Sequence, residues 1–280
     1  MKRLILNADD FGLSPGVNRG IVEAFREGVL SSTTMLCNFD HFEEAVELAD
    51  ANPDLPVGVH LSLLWGAPVL PASSVPSLVD AQGQFGISSS SLAKRYASGR
   101  LRGDEVRREF QAQAERFLAA GLVPTHFDSH KHIHALPPVM EALLDVATEL
   151  GVSKVRLPHE TRLPGLSRPP RNLRSRLDTN LLRVLTRDHR RKLSERGLRT
   201  TDHFVGLDMS ECLDAAALRY FFAALPPGSS EVKCHPGYND WAALRWSTRP
   251  PDRLGQLRAL CDAAVVADAN QVELISYREL

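Results

Sequence analysis

Asp9 and Asp10 are neighbouring carboxylates at the end of an apolar run, Leu4-Ile5-Leu6-Asn7-Ala8-Asp9-Asp10-Phe11-Gly12. Side chains on a strand alternate between faces, so both acids reach one site only where the strand breaks into a loop. A helix cap before Ser14-Pro15 needs a single carboxylate. Two in tandem are costly unless they share a cation or a proton, which points to metal or acid–base chemistry. The stretch Thr125-His126-Phe127-Asp128-Ser129-His130-Lys131-His132-Ile133-His134 is richer still. His126, Asp128, His130, His132 and His134 share one parity, so an extended chain projects all five on one side. Imidazole is the commonest transition-metal ligand, and a nearby carboxylate often fixes its tautomer. The competing reading is an exposed His-rich loop with adventitious metal affinity. The spacing is neither the H-E-x-x-H helix of zinc proteases nor a C-x-x-C knuckle.

Three single residues gain weight from position. His60 lies in the apolar Gly58-Val59-His60-Leu61, and His235 precedes a Pro-Gly turn in Lys233-Cys234-His235-Pro236-Gly237. Arg156 carries a permanent charge in Lys154-Val155-Arg156-Leu157, where it holds a carboxylate, contacts substrate or makes a rim salt bridge.

These residues need elements that bring them together. Short apolar runs predict strands over 3–7, 33–38, 57–63, 125–128, 154–157, 202–207, 231–234 and 272–277. Between them lie amphipathic helices: Phe42, Ala45, Val46 and Ala49 after an Asp40 cap, then Val106, Phe110, Ala114 and Phe117, then Val139, Leu143, Leu144 and Ala147. The alternation predicts an α/β fold, a (β/α) barrel of seven or eight strands, with parallel strands and an active site on the C-terminal rim. The chain stops at Leu280 with no helix after the last strand, which leaves the barrel incomplete or distorted there. Residues 1–280 read as a single barrel domain with a basic insertion at about 158–199. From Arg156 to Arg199 there are 13 Lys+Arg against 4 Asp+Glu, a local charge of +9. This segment is a solvated helix over 177–195 or a surface for an anionic partner such as membrane phosphate, and it is expected near the rim. The 66–85 connection is expected to face substrate.

Composition sets the outer limits. With 43% hydrophobic and 24% charged residues among 280, the chain buries a full core and is not a disordered or low-complexity sequence. A formal charge of -1 gives no steering toward nucleic acid. No stretch approaches the roughly 18 apolar residues of a spanning helix, and the N-terminus turns polar too soon for a secretory leader. Cys37, Cys212, Cys234 and Cys261 form no C-x-x-C pair and read as reduced side chains of a cytoplasmic protein. A G-x-S-x-G elbow and a phosphate-binding G-x-x-x-x-G-K-[ST] are both absent.

With these motifs together, the chain resembles the YdjC-like carbohydrate deacetylase family, of the chitooligosaccharide-deacetylase and hopanoid-biosynthesis type. The matching residues are Asn7-Ala8-Asp9-Asp10-Phe11-Gly12-Leu13-Ser14, Gly58-Val59-His60-Leu61, Asp128-Ser129-His130-Lys131-His132-Ile133-His134 and Cys234-His235-Pro236-Gly237. The resemblance implies a polysaccharide-deacetylase-like barrel, a homodimer, and one divalent metal held by Asp10, His60 and His130. It implies Asp9 as general base and His235 as general acid. Asp128, His132, His134 and Arg156 are left to support the ligands or to contact substrate. The family is usually assigned magnesium, whereas two imidazoles and one carboxylate suit zinc, manganese or iron better. The expected reaction is removal of an N-acetyl group from a chitooligosaccharide or an N-acetylglucosaminyl glycolipid, the latter allowing peripheral membrane contact through the basic insertion. Two alternatives stay open: a metal-dependent phosphoesterase, which two bridged metals would favour, and a non-catalytic glycan- or lipid-binding barrel, which has no use for the base Asp9.

Overall fold

The strand β1 (Lys2–Phe11), buried from Leu4 onward, is the axis of the fold. The structure is a computed structural model that describes residues 1–86, 88–163, 180–207, 213–246 and 250–280. β1 pairs in parallel with β2 (Ser32–Met35), beyond which lie β3 (Val57–Leu61) and β4 (Phe127–Ser129). On its other side come β6 (Gly228–Cys234) and then β5 (His203–Val205), giving the order β4-β3-β2-β1-β6-β5. A short β7 (Glu273–Leu274) pairs with Arg3 and Leu4, below the point where β2 joins β1 at Asn7.

Among the described residues the regular sheet is therefore an open parallel α/β barrel of seven strands. The strand expected over 154–157 is reduced to isolated parallel bridges, because its neighbours each meet it at one residue: Phe127↔Val155 and Lys154↔Arg199. With Glu160↔Phe204, these bridges span the gap between β4 and β5. Parallel strands all end on the same side, so Phe11, Leu61, Ser129 and Cys234 mark one rim.

Helices cover the sheet where the apolar stripes require. Ser14 caps α1 (Pro15–Glu27), its hydroxyl accepting from the Val17 N–H at 3.2 Å, with Pro15 in the first turn. That cap leaves Asp9 and Asp10 free for other work. α2 (Phe42–Asp50) starts after His41 without a side-chain cap; Asp40, the expected cap, meets Arg245 at 3.3 Å instead. After α3 (Ser89–Ala97), the long α4 (Gly103–Ala119) buries Val106, Phe110, Ala114 and Phe117. α5 (Pro137–Glu149) buries Val139, Leu143, Leu144 and Ala147. Each large side chain so buried contributes about 1.5–3 kcal/mol.

Two expectations about loops change. The 66–85 connection is pinned to α4: Glu109 accepts from the Val69 and Leu70 N–H groups at 2.9 and 3.1 Å, and Glu105 from Ser77 at 2.7 Å. Val75, Leu78 and Phe85 are buried, and none of these loop residues reaches the central cavity. The helix expected over 177–195 is interrupted by a turn at 186–188 before α6 (His189–Glu195), and residues 164–179 lie outside the described residues. Lys192 pairs with Glu141 at 2.6 Å and Arg196 with Asp145 at 2.8 Å, both acids on α5. Part of the basic charge is thus neutralised within the fold itself, as in a solvated crossover helix. α7 (Ala215–Ala224), α8 (Trp241–Leu244), α9 (Arg253–Leu260) and α10 (Ala263–Asp268) complete the described helices. No helix among the described residues is long and apolar enough to cross a membrane. Cys37, Cys234 and Cys261 are free thiols, and Cys212 lies outside the described residues.

Candidate active site

Both acids of the tandem pair enter one cavity, although β1 does not break into a loop before them. Ala8 stands opposite Thr33 and Phe11 opposite Met35, so β1 spends three steps where β2 spends two. The extra residue is a bulge, and Asp10 takes it up in the left-handed region at φ 74°. A non-glycine residue held there is a strained position of the kind found at functional sites. Gly12 completes the bend at φ 90°, where a Cβ would stand 2.9 Å from the Leu36 carbonyl oxygen.

Asp10 faces two histidines. Its Oδ1 lies 3.1 Å from His130 Nδ1 and 3.7 Å from His60 Nε2, with all three residues buried. His60 passes its other nitrogen to Asp128 at 2.6 Å, its strand neighbour in the β3–β4 register. That bond fixes Nδ1 as the protonated nitrogen and turns Nε2 toward Asp10, the carboxylate–histidine arrangement of metal sites. Burial disfavours the charged imidazole of His60, but the Asp128 carboxylate outweighs it and raises the pKa, so a cation at Nε2 is favoured. Burial pushes His130 down to about 4 against the pull of Asp10, leaving a neutral imidazole that is able to ligate. The buried Nε2 atoms of His60 and His130 have no hydrogen-bond partner among the described residues. Asp10, His60 and His130 each offer a ligand atom within 4.8 Å of the others, and with two imidazole nitrogens left without partners the group fits a divalent metal.

A second candidate triplet, Asp9, His60 and Asp128, is taken up differently. Arg156, wholly buried, grips Asp9 through two N–H···O bonds of 2.7 and 3.0 Å. The same guanidinium pairs with Asp128, and with Glu231 at 2.6 Å. Glu231 in turn accepts from the Tyr277 hydroxyl at 2.6 Å. Guanidinium thus fills the place where a second metal would sit. Burial raises the cost of the Asp9 charge, but Arg156 holds the carboxyl well below the usual range.

His235 leaves β6 at the same rim, its Nε2 4.0 Å from Asp9 Oδ2. Burial, reinforced by Lys233, lowers its pKa to about 3, so it is neutral in the resting site. Of the predicted residues, then, Asp9, Asp10, His60, His130 and His235 line the cavity, while Asp128 and Arg156 stand behind them.

The one-sided projection of the five residues from His126 to His134 does not occur. β4 ends at Ser129, and the chain turns over 130–135 with Lys131 and His132 at φ 52° and 54°. His126 stacks on Tyr277, ring centres 3.5 Å apart. His134 is tied to Ser129 and, through Nε2 at 3.1 Å, to the Arg156 carbonyl, so it braces the turn. His132 packs edge-on against Phe204. None of the three lines the cavity.

Sequence reasoning missed Trp65, Lys131, Lys233 and Arg253, which do line it. Trp65 lies 4.4 Å from the His130 ring, and the Lys131 ammonium sits 4.0 Å over Trp65. Lys131 and Lys233 were legible as immediate neighbours of predicted residues. Arg253, across 243 residues from Asp10, carried no local signal.

Comparison with known proteins follows the same lines. Residues 3–271 match the family described as YdjC-like protein. A carbohydrate deacetylase of Brevibacillus brevis is 36% identical over 284 residues, covering 99% of each chain. A chitooligosaccharide deacetylase of Yersinia enterocolitica is 43% identical over 166 residues, 59% of this chain and 63% of that protein. The crystal structure of a candidate cellobiose-phosphate cleavage protein from Enterococcus faecalis V583 superposes with a TM-score of 0.81 at 27% identity, covering 99% of this chain and 98% of that one.

Proposed function

This chain belongs to the YdjC-like protein family, and from that premise we propose that it is a metal-dependent carbohydrate N-deacetylase. The observation that carries the proposal is the trio Asp10, His60 and His130, with orphaned imidazole nitrogens, standing beside the separately held carboxylate Asp9. The substrate class is an N-acetylated amino sugar, as a free saccharide or at the head of a glycolipid.

A divalent ion held by Asp10, His60 and His130 would supply Lewis acidity toward the acyl oxygen and lower the pKa of the attacking water. Asp9, oriented by the Arg156 fork, accepts the water's proton. His235 is neutral at rest and can act as an acid only after a proton reaches it. Its Nε2, 4.0 Å from Asp9 Oδ2, is placed to receive that proton and pass it to the leaving nitrogen. Amide nitrogen leaves poorly as an anion, so this delivery decides the direction of breakdown.

The phosphoesterase reading is the weaker one, since Arg156 fills the position of a second metal. The test is acetate release from a panel of N-acetylated saccharides and glycolipids, with metal-free and metal-loaded protein. Metal-dependent release is expected from at least one of them. Release of phosphate from sugar phosphates without any acetate from the panel would overturn the reading.

A further inference from the structure

Lys233 lies on β6 two residues after Glu231 and two before His235, so the three share the face turned to the barrel interior. In the parallel register it stands opposite Asn7, two residues before Asp9. Its side chain lines the cavity with Asp9, Asp10, His60 and His235, yet only 7% of the residue is exposed. β5 gives way to it: Gly206 has φ 124°, and a Cβ there would lie 3.2 Å from Lys233 Cγ.

Both arginines at this site face carboxylates, and the Lys131 ammonium lies 4.0 Å over the Trp65 ring. Arg156 is locked to three carboxylates and Arg253 to Asp10 at 2.6 Å. The Lys233 side chain makes neither a hydrogen bond nor an ion pair with any described residue. Its stem is buried while its ammonium, without a protein partner, is left to the cavity, where an anion or a strong acceptor can meet it. Burial lowers its pKa, and the charge of Arg156 adds to that, while Asp9 and Asp10 pull in the opposite direction.

We propose that Lys233 is the acyl-group anchor: its Nζ donates to the acyl oxygen of the substrate, meets the negative charge that grows there as water adds, and then holds a carboxylate oxygen of the released acetate. This rests on the deacetylase reading above. In the reaction a C–O bond forms from water and the C–N bond breaks. Amide and water give acetate and a protonated amine, both protons of the water ending on nitrogen through Asp9 and His235. Lys233 stays protonated throughout and acts as a fixed charge, the part that preorganised donors play toward developing oxyanions.

The test uses the full chain, metal-loaded, with Lys233→Met and Lys233→Arg, and reads sodium acetate binding by calorimetry alongside steady-state rates. For Lys233→Met, kcat should fall about 10²–10³-fold. KM for the sugar should change little, and acetate affinity should drop about tenfold or more. Lys233→Arg should recover part of both. Metal content and thermal melting are measured in parallel, and the arginine variant keeps the charge if the methionine variant folds poorly. Unchanged acetate binding in a folded Lys233→Met protein overturns the inference. So does a loss confined to KM, which would place Lys233 on another group of the sugar. Should the wild-type chain release no acetate from any substrate, the deacetylase reading fails, while the acetate titration still reports on Lys233.

Discussion

Arg253 donates to Asp10 Oδ2 at 2.6 Å, while Oδ1 of the same carboxylate faces His130 and His60. Asp10 therefore offers one oxygen to a metal, and its neighbour Asp9 answers to a different arginine, Arg156. Two adjacent acids with separate counter-charges can hold separate roles.

Those roles separate by substitution. Asp10→Asn should weaken metal binding roughly 10–100-fold or more, with activity falling alongside and partly restored by excess metal. Asp9→Asn should keep its metal and lose about 10²–10⁴ in kcat, with no help from added metal. Metal titration and initial rates decide between them. If Asp9→Asn loses the metal while Asp10→Asn keeps it, the assignment is reversed.

Asp128 holds the His60 ring, so its effect on a bound metal would pass through His60. Asp128→Asn replaces the charged acceptor that fixes the His60 tautomer at 2.6 Å with a neutral amide that can present either its oxygen or its NH2. Metal affinity should fall about 10–100-fold although no ligand has been touched. A competition titration against a chelator reads this directly, and an unchanged affinity would show that the His60 ring is held by its packing alone.

Arg156 is a stability determinant as well as a clamp. Arg156→Met strands Asp9, Asp128 and Glu231 as buried carboxylates without their shared counter-ion. Removing one partner of a buried ion pair costs about 3–5 kcal/mol, so the urea midpoint should drop sharply. Glu231→Gln, which leaves Asp9 and Asp128 in place, should cost about 1–3 kcal/mol. Equal midpoints for the two variants would contradict the shared-charge picture.

Stability should fall on mild acidification. Burial, the leading cause in each case, holds His130 and His189 at about 4 and His134 and His235 at about 3, against 6.5 in an open chain. Below pH 6.5 the unfolded chain takes up protons that the folded one refuses. The stabilisation is complete above 6.5 and is lost as the pH falls toward 3–4, at up to about 1.4 kcal/mol per pH unit for each histidine. His60, raised by Asp128, works in the opposite sense and offsets one of them. Urea midpoints of the metal-free protein at pH 7.5, 6 and 5 measure the slope; a flat profile over that range would contradict the neutral assignment of these rings.

The sequence by itself determined the architecture and, of the cavity lining, Asp9, Asp10, His60, His130 and His235. Periodicity is local, so apolar runs and helical stripes locate β1 or α4 without any knowledge of neighbours. Parallel strands must end at one rim, and that alone gathers Asp9, Asp10, His60 and His235, which stand at or just past strand ends. The tertiary structure decided what alternation cannot encode. Asp10 faces inward through a bulge that exists only because β1 and β2 differ by one residue between Ala8 and Phe11. The parity of His126, His132 and His134 is undone by left-handed turns at Lys131 and His132, which a local pattern of alternating residues does not foretell. Arg253 meets Asp10 across 243 residues and Arg156 meets Asp9 across 147. Such pairings follow from where whole elements pack, and charge complementarity selects them only after the backbone has brought the groups within reach.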